Sequence, residues 1–212
     1  GGSLALALKE IGFSDHILGV DNNQSHCEEA LRLNLVNEIK TLNEAILGSD
    51  VIVVATPVAS SISIISTILD NISNNQVVVD LGSTKAELCV HINKHTKRSN
   101  YVAAHPIAGT ENSGPKSAIN DLYKYKKVVI CEKNQSSDNA LSIALEMFNK
   151  MKMSIVFMTP NEHDKHLAYI SHLSHISSFA LGLTVLDLEK DDENIFNLAG
   201  SGFSSTARLA KS

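Results

Sequence analysis

The sequence has little of what marks several classes of protein. Its 212 residues include only three cysteines, and no two of them form a CxxC pair. So sparse a set argues against a disulfide framework or a cysteine metal site and favours a reducing compartment. The 18 basic and 23 acidic residues are mixed along the chain. Without a block of like charge, neither nucleic acid nor an anionic membrane is an expected partner.

Long apolar runs are also missing. The longest, such as residues 51–55, have the length of a strand, far below the ~20 residues that span a membrane. No leader peptide is recognisable. We therefore expect a cytoplasmic protein with no membrane partner.

Short apolar segments alternate with helical patterns through the first three quarters of the chain. The strand-like segments are residues 16–21, 51–55, 76–81, 101–104, 127–131 and 154–157. Strands that alternate with helices in this way indicate βαβ units. The sequence therefore predicts an α/β fold, with a Rossmann-like, doubly wound and mainly parallel sheet.

The pattern changes at Thr159 and Pro160. Thr159 suits an N-cap, with Pro160 at the first helical position and Glu162 at the third. From residue 161 the helical pattern runs to about residue 189, and no strand pattern returns. We therefore predict a dinucleotide-binding domain over residues 1–158 and an all-helical domain over residues 159–212.

The chain opens on Gly1 and Gly2, followed by a run rich in leucine and alanine. Glycines at a helix start allow a phosphate to approach the backbone closely. Asp21 follows at about the 20-residue distance where dinucleotide folds place an acid on the adenosine ribose. A carboxylate there repels a 2′-phosphate, which favours NAD over NADP. The spacing also fits an ordinary βαβ loop with a capping aspartate. We expect an apolar strand and earlier glycines before Gly1, and further helix after residue 212.

Polar residues follow three of the predicted strands at their carboxyl ends, where open α/β sheets bind ligands. Thr56 and Pro57 are expected beside the ribose or pyrophosphate of a cofactor. Ser83 can hydrogen-bond both His105 and the nicotinamide side of a cofactor, or cap the next helix, or do both. His105 is the candidate proton-transfer group, because Pro106 is expected to end its strand and leave it at a polar loop.

Four histidines lie between residues 163 and 175. At about 100° per residue, they point in different directions around one helix and cannot form a four-ligand metal site. We therefore predict no metal. His175 falls on a small, polar edge and is the candidate for a substrate contact, whereas His163 and His166 are predicted at the surface. Arg208 follows a glycine- and serine-rich segment. It can bind a substrate carboxylate through two parallel hydrogen bonds, or it can be a surface arginine near a helix end.

Four blocks of sequence, in order along nearly the whole chain, resemble the prephenate dehydrogenase family. They are DLGSTK at 80–85, AHPIAGTE at 104–111, SHLSH at 171–175, and GSGF with TARLA between 200 and 210. The resemblance implies that His105 is the catalytic base, that Ser83 orients it, and that Arg208 binds the ring carboxylate of the substrate. Further contacts with the substrate are implied for His175, Thr110, Glu111 and Gly202.

The resemblance also implies the reaction, an NAD-dependent oxidative decarboxylation of prephenate to 4-hydroxyphenylpyruvate in tyrosine biosynthesis. The substrate is thus a small dicarboxylate, and the helical half is expected to form a homodimer. Arogenate is the nearest competing substrate. A 3-hydroxyacid or imine reductase is a second alternative, although the lysine-containing GxxGxGxxxK segment typical of that class is not found. A non-enzymatic nucleotide-binding protein is a third, and it would not require His105 and Arg208 to meet across a crevice.

Overall fold

A computed structural model describes residues 1–110 and 112–189 of the chain. The chain divides into two compact units, the first ending at His163 and the second beginning at Asp164. No helix in the described part of the chain is both long and apolar enough to cross a membrane.

The first unit is built on a sheet of five strands in the order β3-β4-β5-β6-β7. All neighbours in this sheet are parallel except β5 and β6, which are antiparallel. Two shorter strands, β1 and β2, form a separate parallel pair. The strands are β1 Leu18–Gly19, β2 Glu38–Ile39, β3 Val51–Val54, β4 Val77–Asp80, β5 Tyr101–Pro106, β6 Lys127–Cys131 and β7 Ser154–Met158. The predicted α/β architecture is therefore confirmed.

Helices connect these strands, and most have the polar caps that stabilise a helix start. They are α1 Gly2–Glu10, α2 Gln24–Arg32, α3 Leu42–Leu47, α4 Val58–Asn71, α5 Ala86–Ile92, α6 Asp138–Lys150 and α7 Pro160–Leu167. Helix α7 begins with the expected reciprocal cap: Glu162 N donates to Thr159 Oγ1 (3.2 Å), and the Glu162 carboxylate accepts from Thr159 N (2.9 Å). In the second unit a π-helical turn, Ala168–His172, precedes α8, Leu173–Glu189.

The two faces of the five-stranded sheet are covered by different helices. Side chains alternate along a strand, so that Val102 and Ala104 of β5 face one core and Tyr101 and Ala103 face the other. Helices α1 and α6 cover the first face, and α3, α4 and α5 cover the second. Burial on both faces explains why β4 is a continuous apolar run up to Asp80.

Strand β5 runs further than predicted. Pro106 does not end it, because Pro106 pairs with Val128 of β6 and the ladder continues to a bond from Ile107 N to Lys127 O (2.8 Å). On the other side, the pairing of β4 with β5 stops at Ala103. Pro106 therefore has no β4 residue opposite it, and a missing N–H at that position removes no bond between the two strands. As a result, His105 lies inside the strand.

Candidate active site

A cavity of about 270 Å³ opens at the carboxyl ends of β3 and β4. Its lining comes from four places along the chain: the start of α1, the turn after β3, the turn after β4 and the segment before β6. The lining residues are Gly1, Ala55, Thr56, Pro57, Val58, Leu81, Gly82, Ser83 and Tyr123. Four of the residues predicted to bind a cofactor, Gly1, Thr56, Pro57 and Ser83, are thus brought together. Carboxyl ends of adjacent parallel strands are where open α/β sheets bind nucleotides.

The helices that begin beside this cavity start without a side-chain cap. Helices α1 and α4, whose N-cap residues line the cavity, have no side-chain hydrogen bond at the N-cap, whereas α2, α3 and α6 have one. Uncapped helix starts carry backbone N–H groups and the positive end of the helix dipole. Such groups favour an anion. The cavity is therefore suited to the phosphates of a nucleotide.

A buried ion pair fixes the turn that presents Ser83. Asp80 and Lys85 are both fully buried and form a salt bridge across the turn. Asp80 Oδ1 accepts a hydrogen bond from Gly82 N (2.8 Å). A Cβ atom on Gly82 would lie 3.0 Å from Asp80 Oδ1, which favours glycine there. The turn is therefore held by buried contacts on its inner side, while Ser83 is exposed on its outer side.

Tyr101 completes this buried polar group. Its hydroxyl donates to Asp80 Oδ2 over 3.2 Å. Burial, followed by the nearby Asp80 carboxylate, raises the pKa of Tyr101 well above its ordinary value. Tyr101 is consequently a permanent donor to Asp80 at neutral pH. The carboxylate has a cation and two donors around it, which offsets the cost of burying its charge.

His105 lies on the same face of the sheet as this buried group, near the end of β5. Its Nδ1 is 2.9 Å from Nε2 of His163, which lies in the first turn of α7. The two ring centroids are 5.1 Å apart and the ring planes are inclined by 72°. His163 is only 1% exposed. Both rings belong to the first compact unit, so this pair is formed within a single body.

The prediction that His163 is a surface residue is therefore wrong, whereas His166 is exposed. Helical periodicity relates the directions of the four histidines to one another around a helix but does not relate them to the sheet. The cap at Thr159 starts α7 directly after β7, so the first turn of α7 lies beside the strand ends. The sequence does record this cap, and it is the feature from which the burial of His163 could have been inferred.

Besides His105, three predicted site residues in the described part of the chain lie outside the cavity lining. Asp21 Oδ1 accepts a hydrogen bond from Asn23 N (2.8 Å), and Asp21 Oδ2 is 3.5 Å from His26 Nδ1. Gly2 is in the first turn of α1, where an added Cβ would come within 3.0 Å of Leu35 and 3.1 Å of Ala118. Gly2 thus allows close packing. Thr110 is exposed, and its Oγ1 is 3.4 Å from the backbone of Asn112.

Four predicted substrate contacts lie wholly or partly outside the described residues. Glu111, Gly202 and Arg208 lie outside the described residues, as does the side chain of His175, whose backbone belongs to α8. The predicted meeting of His105 with Arg208 therefore remains a prediction.

An open, mainly parallel sheet with an anion-suited cavity at its strand ends defines a nucleotide-binding protein of the Rossmann-like class. Comparison with known families agrees with this class. Residues 4–157 match the family model described as "Prephenate dehydrogenase, nucleotide-binding domain". Residues 159–212 match "Prephenate dehydrogenase, dimerization domain". The chain belongs to the prephenate dehydrogenase family.

Individual relatives are distant but similar over the whole chain. The prephenate dehydrogenase of Bacillus subtilis is 25% identical over 100% of this chain, which spans 58% of that relative. A solved structure of the Aquifex aeolicus prephenate dehydrogenase, in complex with hydroxyphenyl propionate and NAD+, is 28% identical with a TM-score of 0.88, covering 100% of this chain and 74% of that one. The Synechocystis arogenate dehydrogenase is 26% identical with a TM-score of 0.78, covering 100% of this chain and 76% of that one. The chain thus spans less than two thirds of the length of its curated relative.

Proposed function

We propose that the protein catalyses the NAD-dependent oxidative decarboxylation of prephenate to 4-hydroxyphenylpyruvate. One observation carries the proposal. In a chain of this family, a histidine lies near the end of β5, and the adjacent strand β4 ends in a turn that lines an anion-suited cavity. A base beside a nucleotide is the arrangement that oxidation of a hydroxyl group requires.

The residues around the cavity fit a dinucleotide. The uncapped starts of α1 and α4 would bind the pyrophosphate, and the hydroxyl groups of Thr56 and Ser83 offer further hydrogen bonds. We assign Asp21 to the adenosine ribose. Its carboxylate would accept hydrogen bonds from ribose hydroxyls and repel a 2′-phosphate, so NAD is favoured over NADP. When bound, NAD supplies the hydride acceptor.

His105 then acts as the general base. It accepts the proton of the C4 hydroxyl group while hydride leaves C4, and the hydroxyl oxygen becomes a carbonyl oxygen. Loss of the ring carboxylate as CO2 sends an electron pair into the ring, which becomes aromatic. The phenolic oxygen recovers a proton, so no net base is consumed. Ser83, held at the cavity by the turn below it, is assigned to orient His105 and the reacting hydroxyl group.

The helical part is assigned to the substrate and to dimerisation. Arg208 would bind the ring carboxylate, with His175, Thr110, Glu111 and Gly202 around the remainder of the dicarboxylate. The match of residues 159–212 to a dimerisation domain supports a homodimer. We place the domain boundary between residues 158 and 159. The three cysteines, Cys27, Cys89 and Cys131, are buried and not joined in disulfides, which suits the reducing cytoplasm.

Arogenate is the second candidate substrate, and the likeness to the Synechocystis arogenate dehydrogenase supports testing it. The experiment uses the full-length protein and measures kcat/KM for NADH formation with prephenate and with arogenate, each with NAD and with NADP. The proposal expects the highest value with prephenate and NAD. Absence of reduction with both substrates would contradict it, and a higher value with arogenate would reassign the substrate.

A further inference from the structure

We propose that His163 is a positioning residue that fixes the tautomer and the ring orientation of His105. The inference rests on the proposed function, in which His105 is the base. Its basis is the contact between His105 Nδ1 and His163 Nε2 at 2.9 Å, with the rings inclined by 72°. An edge-on approach of this kind points a ring nitrogen of one histidine at a ring nitrogen of the other, as a hydrogen bond requires.

A hydrogen bond between two imidazole nitrogens contains one proton, and its position decides which histidine can act as a base. A neutral imidazole carries its proton on one nitrogen and a lone pair on the other. When Nδ1 of His105 carries the proton, it donates to His163, and Nε2 of His105 has the lone pair that accepts the proton of the substrate. In the opposite arrangement His163 donates, Nε2 of His105 is protonated, and the ring is inactive as a base. His163 must therefore be the acceptor.

Both rings are held by rigid elements. His105 lies between two buried residues of β5 and is in register with Val129 of β6. His163 N donates to Thr159 O (3.0 Å), and the reciprocal cap between Thr159 and Glu162 fixes the start of α7. A buried acceptor on a capped helix is pre-organised, so little entropy is lost when it fixes its partner.

The same bond favours the proton transfer itself. Once His105 has taken the proton of the substrate it is an imidazolium, and its Nδ1–H becomes a charged donor. Charge-assisted hydrogen bonds are roughly twice as strong as neutral ones. Because His163 accepts this bond, it stabilises the protonated state of His105 more than the neutral one. Its contribution therefore appears in kcat more than in substrate binding.

Three variants of the full-length protein distinguish a role of His163 as hydrogen-bond acceptor from a role in packing alone. His163→Phe keeps the ring shape and removes the lone pair. His163→Gln places an amide oxygen near the position of Nε2 without a titratable ring. His163→Asn has the same amide on a side chain one carbon shorter, which cannot reach that position. Thermal unfolding establishes that each variant is folded before it is compared.

The first readout is the ¹⁵N chemical shift of the His105 ring nitrogens in histidine-labelled protein without substrate. Wild type and His163→Gln are expected to have His105 protonated at Nδ1, and His163→Phe to shift it toward the Nε2–H form. Unaltered shifts in a folded His163→Phe would overturn the inference. Because no substrate is present, this result is independent of whether prephenate is the substrate.

The second readout is steady-state kinetics. A positioned base contributes about 10²–10⁴ in rate, so His163→Phe is expected to lower kcat by about tenfold or more, with KM values for substrate and NAD changed by less than about threefold. His163→Gln is expected to stay within about fivefold of wild-type kcat. If His163→Phe does not fold, His163→Asn takes its place and must be slower than His163→Gln. If kcat falls equally in His163→Gln and in the variant compared with it, His163→Phe or His163→Asn, then His163 has only a packing role and the proposal is overturned.

Discussion

Both faces of the five-stranded sheet are buried under apolar side chains, and one of them also buries an ion pair. Under α1 and α6 the core consists almost entirely of apolar side chains, such as Val102, Ile130 and Phe148. On the other face, toward the carboxyl ends of the strands, the sheet buries a salt bridge between Asp80 and Lys85, and we call this side of the sheet the polar face. The difference shows where the fold needs directional interactions. Apolar packing stabilises the sheet but does not orient individual atoms, whereas buried polar groups fix the positions of particular atoms beside the cavity.

The largest expected effect is the loss of His105, the proposed base, which lies on the polar face near the end of β5. His105→Asn should lower kcat by about 10²–10⁴, with NAD affinity nearly unchanged, because His105 does not line the described cavity. Steady-state NADH formation and calorimetric NAD titration check this. His166→Asn is the matched control, since His166 is exposed on the same helix as His163. A His105→Asn variant that turns over normally would remove His105 from the mechanism.

The next effect sharpens the contrast between the faces. Lys85→Met leaves the fully buried Asp80 carboxylate without its cation, so the free energy of unfolding should fall by about 3–5 kcal/mol. Met147→Ala in the apolar core should cost a comparable ~2–5 kcal/mol. Only Lys85→Met should also weaken NAD binding, because only it disturbs the turn that carries Ser83.

Urea unfolding and NAD titration of both variants test this distinction. The double variant Asp80→Asn/Lys85→Met should recover part of the lost stability, since it leaves no uncompensated charge. Lys94→Met, at an exposed site, serves as the control for loss of a lysine. Equal effects of Lys85→Met and Met147→Ala on NAD affinity would mean that the polar face has no special role in positioning.

A smaller effect concerns the choice of cofactor at Asp21. Asp21→Ser removes the carboxylate assigned to the ribose, so the kcat/KM ratio of NADP to NAD should rise by about tenfold, or roughly 1.4 kcal/mol. The charge is partly screened because the Asp21 side chain is 43% exposed. Asp15→Ser, at another exposed loop position, should leave the ratio unchanged. A constant ratio in Asp21→Ser would place the ribose elsewhere.

The smallest expected effect comes from removing the hydrogen bond that Tyr101 donates to Asp80. Tyr101→Phe should lower the free energy of unfolding by about 1–1.5 kcal/mol. Since burial raises the pKa of Tyr101 in the folded state, the stabilisation is complete below the unfolded pKa of about 10 and declines as the pH rises above it. Chemical unfolding between pH 8 and pH 11 should reveal this decline in wild type and a weaker one in Tyr101→Phe. Tyr125→Phe, at a side chain that is 77% exposed, is the control.

Much of the fold follows from local patterns in the sequence. The strands, the capped start of α7 and the polar turns after β3 and β4 depend on residues close together in the chain. Alternation, capping and strand ends are therefore enough to predict the parallel sheet and to gather Gly1, Thr56, Pro57 and Ser83 at one cavity. What the sequence pattern misses involves partners far apart in the chain.

Three residues illustrate why contacts between distant parts of the chain are missed. His163 is 58 residues from His105, and the local pattern around His163 does not indicate which distant side chain its ring contacts. Lys85 lies in a turn, where a lysine is ordinarily solvated, and only the position of Asp80 at the end of a buried strand draws it inside. Likewise, Pro106 is tolerated within β5 because β4 has already stopped pairing, which local sequence does not reveal.

Rescue by added imidazole tests most directly whether His105 is a base held in place by the sheet. His105→Ala in the full-length protein removes the ring and leaves space where a free imidazole can bind. The rate of NADH formation from prephenate should be very low in this variant and should rise with imidazole concentration toward saturation. A variant that is fully active without imidazole, or a folded, NAD-binding variant that imidazole does not rescue at any concentration, would contradict the account.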